Sequence, residues 1–241
     1  MGLFDFLKKD KKSEEIHLNK KIDLRKETVA ISLKKKDVES LIAEVVLCID
    51  SSGSMYNRYT EGKVQDVLER LIPLSLKFDD DGQVPVYTFA SNCKEHPTMN
   101  LNNLEDYTNE NLINHVGGGT YYSNPINMII DKAKKNEFKY PVFVIFITDG
   151  ENGDHEETER ALREASNYDI YFQFVGIGNE SFKFLHKLDN LSGRKFDNAG
   201  FLKMQSFDNI SDEKLYDELL NEFVDIYKNK TFKSGVINLT K

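Results

Sequence analysis

Two short segments of this 241-residue chain combine acidic and hydroxyl side chains at close spacing. Asp50-Ser51-Ser52-Gly53-Ser54 sets a carboxylate and two hydroxyls at alternate positions, and Thr148-Asp149-Gly150-Glu151-Asn152 carries a second carboxylate. Between them lies Gly117-Gly118-Gly119-Thr120, a glycine run that ends in a third hydroxyl. Asp50, Ser52, Ser54, Thr120 and Asp149 together supply two carboxylates and three hydroxyls. Such hard oxygen donors suit Mg2+ or Mn2+, and Ca2+ less specifically. The alternate spacing of 50, 52 and 54 lets one tight turn aim three side chains at one point, and Gly53 allows the bend. Each segment alone reads as turn chemistry, because Asp, Ser and Gly are ordinary turn residues. They become a site only if the fold brings all three to one place.

The elements around them supply that place. Glu44 to Ile49 is a continuous apolar run of the kind that forms a strand covered on both faces. Val84 to Ala90, Val142 to Ile147 and Ile170 to Ile177 read the same way, and Lys195–Phe196 is a candidate fifth strand. Helical spacing follows each. Val64, Val67, Leu68, Leu71 and Ile72 form one stripe, with Pro73 expected to kink or end it. Ile126, Ile129, Ile130 and Ala133 form another, with Pro125 near its start. Asp154 and Glu157 resemble a capping box opening a helix with Ala161, Leu162 and Ala165. Ser181 opens a short helix, and Ser211 caps a last one bearing Leu215, Leu219, Phe223 and Ile226. Asp79-Asp80-Asp81-Gly82 is a turn, and it lacks the alternating ligands of a calcium loop. Residues 91–115 read as a short hairpin and a polar excursion. The pattern over 25–41 admits a strand or a helix. Strand and helix alternate at least four times, which specifies an α/β fold: a doubly wound, mostly parallel sheet with helices on both faces. Ligands of such sheets bind where strands end at their carboxyl edge; two of the segments follow the first and third strands, and the glycine run lies between the second and third, just before a helix.

Composition narrows the function classes. Hydrophobic residues make up 39% and charged residues 30% of the chain, and the net charge is −8. That acidity is a poor match to phosphate backbones, so no nucleic-acid partner is expected. Cys48 and Cys93 show no framework spacing, which fits a reducing, cytoplasmic setting. No apolar stretch approaches the ~20 residues of a membrane helix. The start, Met1 to Leu7, turns charged too soon for a secretory signal, and Phe6 occupies the hydroxyl position of a myristoylation signal. Residues 1–24 form a lysine-rich N-terminal arm, or a short docking helix around Leu3, Phe4, Phe6 and Leu7. His155 begins no zinc helix, since a second His is missing. His96, His115 and His186 are scattered and unpaired. Tyr121 and Tyr122 flank the threonine loop, as a partner-facing rim or as packing.

Ile49-Asp50-Ser51-Ser52-Gly53-Ser54-Met55, Gly118-Gly119-Thr120 and Ile147-Thr148-Asp149-Gly150 together resemble the metal-ion-dependent adhesion site of a von Willebrand factor A (vWA) domain. The resemblance covers roughly residues 40 to 230 and supplies every expected ligand position. It implies that Ser52 and Ser54 bind the metal directly. Thr120 binds directly or through water according to conformation, and Asp50 and Asp149 act partly through water. Phe184–Asp189, Gly193–Phe201 and Ser211–Phe223, with Asp79–Gly82, are similar to the vWA domains of bacterial tellurium-resistance proteins, the F-type in particular. That subgroup implies a cytoplasmic role in tellurite and general stress resistance, with protein partners from the same gene cluster. Residues 25–232 then form the vWA-like domain. Residues 233–241 form a tail, which is either frayed or the first strand of a further, calcium-binding domain.

Few direct carboxylates leave a bound cation under-neutralised and open to an acidic side chain of a partner. The implied function is a metal-dependent protein-interaction module. Two alternatives stand beside it. One is a Mg2+-dependent phosphohydrolase with Asp50 as nucleophile, although Ser52 stands where a second acid is normally needed. The other is a scaffold with a vestigial site.

Overall fold

A computed structural model of the chain describes residues 3–78 and 82–229, with side chains from residue 16 onward. The Asp79–Asp81 part of the expected turn and the tail from 230 lie outside the described residues. The chain enters through a long helix, α1 (Leu3–Lys35), then strand β1 (Glu44–Asp50), a short α2 (Tyr56–Thr60) and α3 (Lys63–Phe78). Strands β2 (Val86–Phe89) and β3 (Cys93–Glu95) follow, then α4 (Ser123–Lys134), β4 (Val142–Thr148) and α5 (His155–Ala165). The last elements are β5 (Ile170–Ile177), α6 (Lys183–Asp189), β6 (Ala199–Met204) and α7 (Asp212–Asn229).

The six strands form one sheet in the order β3-β2-β1-β4-β5-β6. All neighbours are parallel except β3, which returns antiparallel along β2 as the expected hairpin. Alternate side chains of the apolar runs feed two cores, which is why these strands carry no polar face. Val45, Leu47 and Ile49 pack with α1, α3 and α7, whereas Val46 and Cys48 pack with α4, α5 and α6. The fold is the doubly wound three-layer α/β arrangement expected from the sequence, with β1 and β4 side by side at its centre.

Several local expectations are corrected. Residues 25–35 are helical, and the boundary drawn at 24 falls inside α1, where Ile22 is buried in the core. Leu18, in the same stretch, packs partly buried against that core. Asp37 closes α1 with φ 53°, while Val38 N–H donates to Leu33 O and Asp37 N–H to Lys34 O, a Schellman end. Pro73 does not end α3, which continues to Phe78. A proline deprives the carbonyl four residues back of its helical donor. That carbonyl belongs to Glu69, and Arg25 Nη1 from α1 donates to it at 3.0 Å. The fifth parallel strand is Ala199–Met204, not Lys195–Phe196. The polar excursion holds a π-helical turn (Thr108–Leu112) and a 3-10 turn (Ile113–His115). His96 and His115 are not scattered: their rings lie 5.3 Å apart.

Candidate metal centre

β1 and β4 end together, because Ile49 is in register with Ile147. The next residues therefore meet, and Thr148 Oγ1 donates to Asp50 Oδ2 at 2.6 Å. The other carboxylate oxygen, Oδ1, accepts the Ser52 backbone N–H at 2.7 Å, which closes the turn after β1. Tyr59 of α2 donates its hydroxyl to the Asp50 carbonyl at 3.0 Å. Asp50 is fully buried. Burial raises its carboxyl from the usual range to about 6, opposed by the hydrogen bonds from Thr148 and Ser52.

From Ser52 outward the oxygens form a continuous run. Ser52 Oγ lies 3.1 Å from Ser54 Oγ, and Ser54 Oγ donates to Asp149 Oδ1 at 2.7 Å. Neighbouring ligands of an octahedral ion with bonds of 2.0–2.1 Å sit about 3 Å apart. The spacing and the all-oxygen chemistry of this run fit a Mg2+-like ion. Among the described residues no group of three or more His, Cys, Asp or Glu is placed to hold a metal. A cation at this run would depend on serine hydroxyls as well as carboxylate oxygen.

The threonine loop is tied to the same edge by its backbone. Gly117 N–H donates to Ser51 O at 2.7 Å and Gly53 N–H to Gly118 O at 3.4 Å. Gly119 N–H donates to Ser91 Oγ at 2.9 Å. Gly118 has φ +87°, and a Cβ there would lie 2.7 Å from Ser91 Oγ, so both conformation and space require glycine. The Thr120 carbonyl accepts from Gly153 N–H at 2.9 Å, which joins the second and third loops.

Asp154 strengthens that joint in a way the sequence did not suggest. It occupies the cap position of α5, yet its side chain makes no cap bond there. Instead its carboxylate accepts Tyr122 N–H at 3.0 Å and Ser123 N–H at 2.8 Å, capping the start of α4. Tyr122 is buried, and its hydroxyl donates to Gly150 O at 2.5 Å, so this tyrosine is packing rather than rim. Tyr121 is exposed.

Asp50 ends β1, and Ser52, Ser54, Thr120 and Asp149 lie on loops at the same sheet edge. Sequence reasoning missed Thr148 and Arg58, and gave Asp154 to the wrong helix. Thr148 could have been suspected as the one hydroxyl ending an apolar strand. Arg58 Nε donates to Asp149 Oδ2 at 3.2 Å and its Nη2 to Ile177 O at 3.3 Å, but nothing in its local sequence marks it. Beneath Met55 a cavity of about 240 Å³ separates this loop from Phe207 in the β6–α7 connection.

Comparison with known proteins adds to this geometry. The family model described as "vWA-TerF-like: vWA found in TerF C terminus" matches residues 42–236. The uncharacterized protein YcbR of Bacillus subtilis is 36% identical over 207 residues, covering 84% of each chain. Among solved structures, proximal thread matrix protein 1 of the mussel byssus, with a zinc-occupied MIDAS motif, aligns with a TM-score of 0.56 at 17% identity. The match covers 78% of this chain and 48% of that one, so the chain spans about half the mussel protein. Manganese-loaded TRAP protein of Plasmodium vivax aligns with a TM-score of 0.56 at 17% identity, over 76% of this chain and 73% of that one. At these identities the two structures speak for the fold.

Proposed function

The chain belongs to the vWA-TerF-like family, and from that premise we propose that it is a metal-dependent protein-interaction module. A divalent cation, held by Asp50, Ser52, Ser54, Thr120 and Asp149, would complete its coordination with an acidic side chain of a partner protein. The observation that carries this reading is the run Ser52 Oγ, Ser54 Oγ, Asp149 Oδ1, with contacts of 3.1 and 2.7 Å at the sheet edge. Of the two carboxylates in this donor set, Asp149 is already engaged by Arg58, so a bound ion keeps positive charge for a partner's acid. Mg2+ or Mn2+ suits the donors, with Ca2+ a weaker match. Two solved structures of the same fold are a zinc-occupied and a manganese-loaded form, which is compatible with a divalent ion here.

The setting we propose is cytoplasmic, in bacterial stress resistance including tellurite, with tellurium-resistance proteins as partners. Support comes from the family match and from the F-type similarity of residues 184–223. Cys48 and Cys93 are both free. Among the described residues, no helix is long and apolar enough to cross a membrane.

A phosphohydrolase fits less well. Asp50 is buried and each of its carboxylate oxygens already accepts a hydrogen bond, a poor posture for a nucleophile. The complete donor set also speaks against a vestigial site. The test is capture of tellurium-resistance proteins on immobilised chain, in Mg2+ and in chelator. Capture in Mg2+ that is lost in chelator and in Ser54→Ala is the expected result. Capture indifferent to both would overturn the proposal.

A further inference from the structure

Helix α1 precedes the segment matched by the family model, which begins at residue 42. From residue 16 onward its inner face packs against the body of the domain. Ile22, Val29 and Leu33 are buried in the core, and Arg25 bonds to Asp212 at the start of α7. Its outer face carries Ile16, Leu24 and Ile31, which are 47%, 65% and 53% exposed. These are three of the seven large hydrophobics exposed among the described residues. Single exposed leucines are ordinary, but a row along one helix face marks a contact surface.

The row has a defined composition. At about 100° per residue, Ile16, Lys20, Leu24, Glu27 and Ile31 fall within a stripe about 80° wide, opposite the buried face. Their spacing of four, four, three and four is that of a helix–helix seam. Lys20 and Glu27 are exposed, and among the described residues neither makes an ion pair within the chain.

We propose that this stripe is a self-association surface, through which two copies of the chain pair antiparallel about a two-fold axis between Asp23 and Leu24. A two-fold interface requires that residue i meet j and j meet i. Antiparallel pairing about that point satisfies this along the whole stripe. Ile16 faces Ile31 of the second copy, Lys20 faces Glu27 of the second copy, each pair occurs twice, and Leu24, half a residue from the axis, packs beside its own equivalent. Parallel pairing would set Lys20 against Lys20 and Glu27 against Glu27, which is repulsive. An anionic lipid surface would meet Glu27 within this stripe and Asp23 on its flank beside Lys20 and Lys34, a face of mixed charge rather than a basic one. The charges therefore select a second copy in one orientation.

Sedimentation velocity of the full chain over a range of concentrations tests this, run in chelator so that metal plays no part. The expected result is a reversible dimer that becomes monomeric in Leu24→Glu. Lys20→Glu and Glu27→Lys each convert two attractive pairs to repulsive ones and weaken the dimer by roughly tenfold. The double variant Lys20→Glu/Glu27→Lys restores it. These charge variants lie on an exposed face, so they remain informative if Leu24→Glu disturbs folding. A wild-type chain monomeric at every concentration would overturn the proposal. So would a dimer insensitive to the single reversals, or a double variant no better than the singles.

Discussion

Arg58 and Asp149 share a hydrogen-bonded ion pair at the rim of the candidate metal centre, with Nε donating to Oδ2 at 3.2 Å. Ser54 takes the other oxygen of the same carboxylate. A fixed guanidinium thus offsets one of the two acids available to a cation. Charges a few ångströms apart near a protein surface interact by a few kcal/mol. Arg58→Gln is accordingly expected to tighten Mn2+ binding by about threefold to tenfold, with Arg58→Lys close to wild type, as read by isothermal titration calorimetry. Weaker binding in Arg58→Gln would show instead that the guanidinium serves mainly to hold Asp149 in place.

Gly118 links backbone strain to the site. Its φ of +87° and the 2.7 Å approach that a Cβ at this position would make to Ser91 Oγ both oppose any side chain. Gly118→Ala should cost about 1–3 kcal/mol of stability. It should also weaken Mn2+ binding, because the loop carries Thr120. Urea unfolding and calorimetry on the same variant check both effects, and unchanged metal affinity would detach this loop from the site.

Arg25 ties α1 to two other helices at once. It bonds Asp212 Oδ2 through Nε and the Glu69 carbonyl through Nη1, the latter left without a helical donor by Pro73. Arg25→Met keeps the aliphatic stem and removes both bonds. A loss of about 2–3 kcal/mol is expected, seen as a lower urea midpoint at unchanged slope. No loss would mean that α1 is held by its apolar face alone.

His96 supplies a pH dependence remote from the metal loops. Its ring is buried beside Thr88, with Nε2 2.7 Å from the Thr88 hydroxyl. Burial lowers its pKa from 6.5 to about 4, helped by the charges of Lys94 and His115, with hydrogen bonding to the Asn111 backbone opposing. The unfolded chain binds the proton first, so stability is intact above pH 6.5 and falls as pH drops toward 4. The loss is on the order of 2–3 kcal/mol. His96→Gln should flatten the stability profile over that interval, and an unchanged slope would assign it to other groups.

Much of this arrangement was legible in the sequence, and the failures have physical causes. Strands fed by two cores are apolar at every position, so Val142 to Ile147 announced itself. The cap at Ser211 was legible because it is local: its Oγ accepts Lys214 N–H at 3.3 Å. Helix α1 was obscured because its inner face includes Arg25 and Ser32, whose partners lie on α3 and α7. Pro73 misled because its missing hydrogen bond is replaced from another helix. Asp154 has the right type for a cap, but the fold assigns it to a helix 31 and 32 residues away in sequence. At the metal loops the residue types and spacing suggested five ligands, whereas Thr148 and Arg58 gain their places only once β1, β4 and α2 are assembled.

The most direct test of the metal centre is Mn2+ titration of the wild-type chain and of Ser54→Ala, followed by thermal unfolding. An ion present at 100 times its dissociation constant stabilises the folded state by about 2.7 kcal/mol. The expected result is a saturable rise in the wild-type unfolding temperature that is strongly reduced in Ser54→Ala, whose substitution removes one exposed hydroxyl from the oxygen run. A wild-type chain whose stability is indifferent to Mn2+ and Mg2+ would contradict a metal-dependent role.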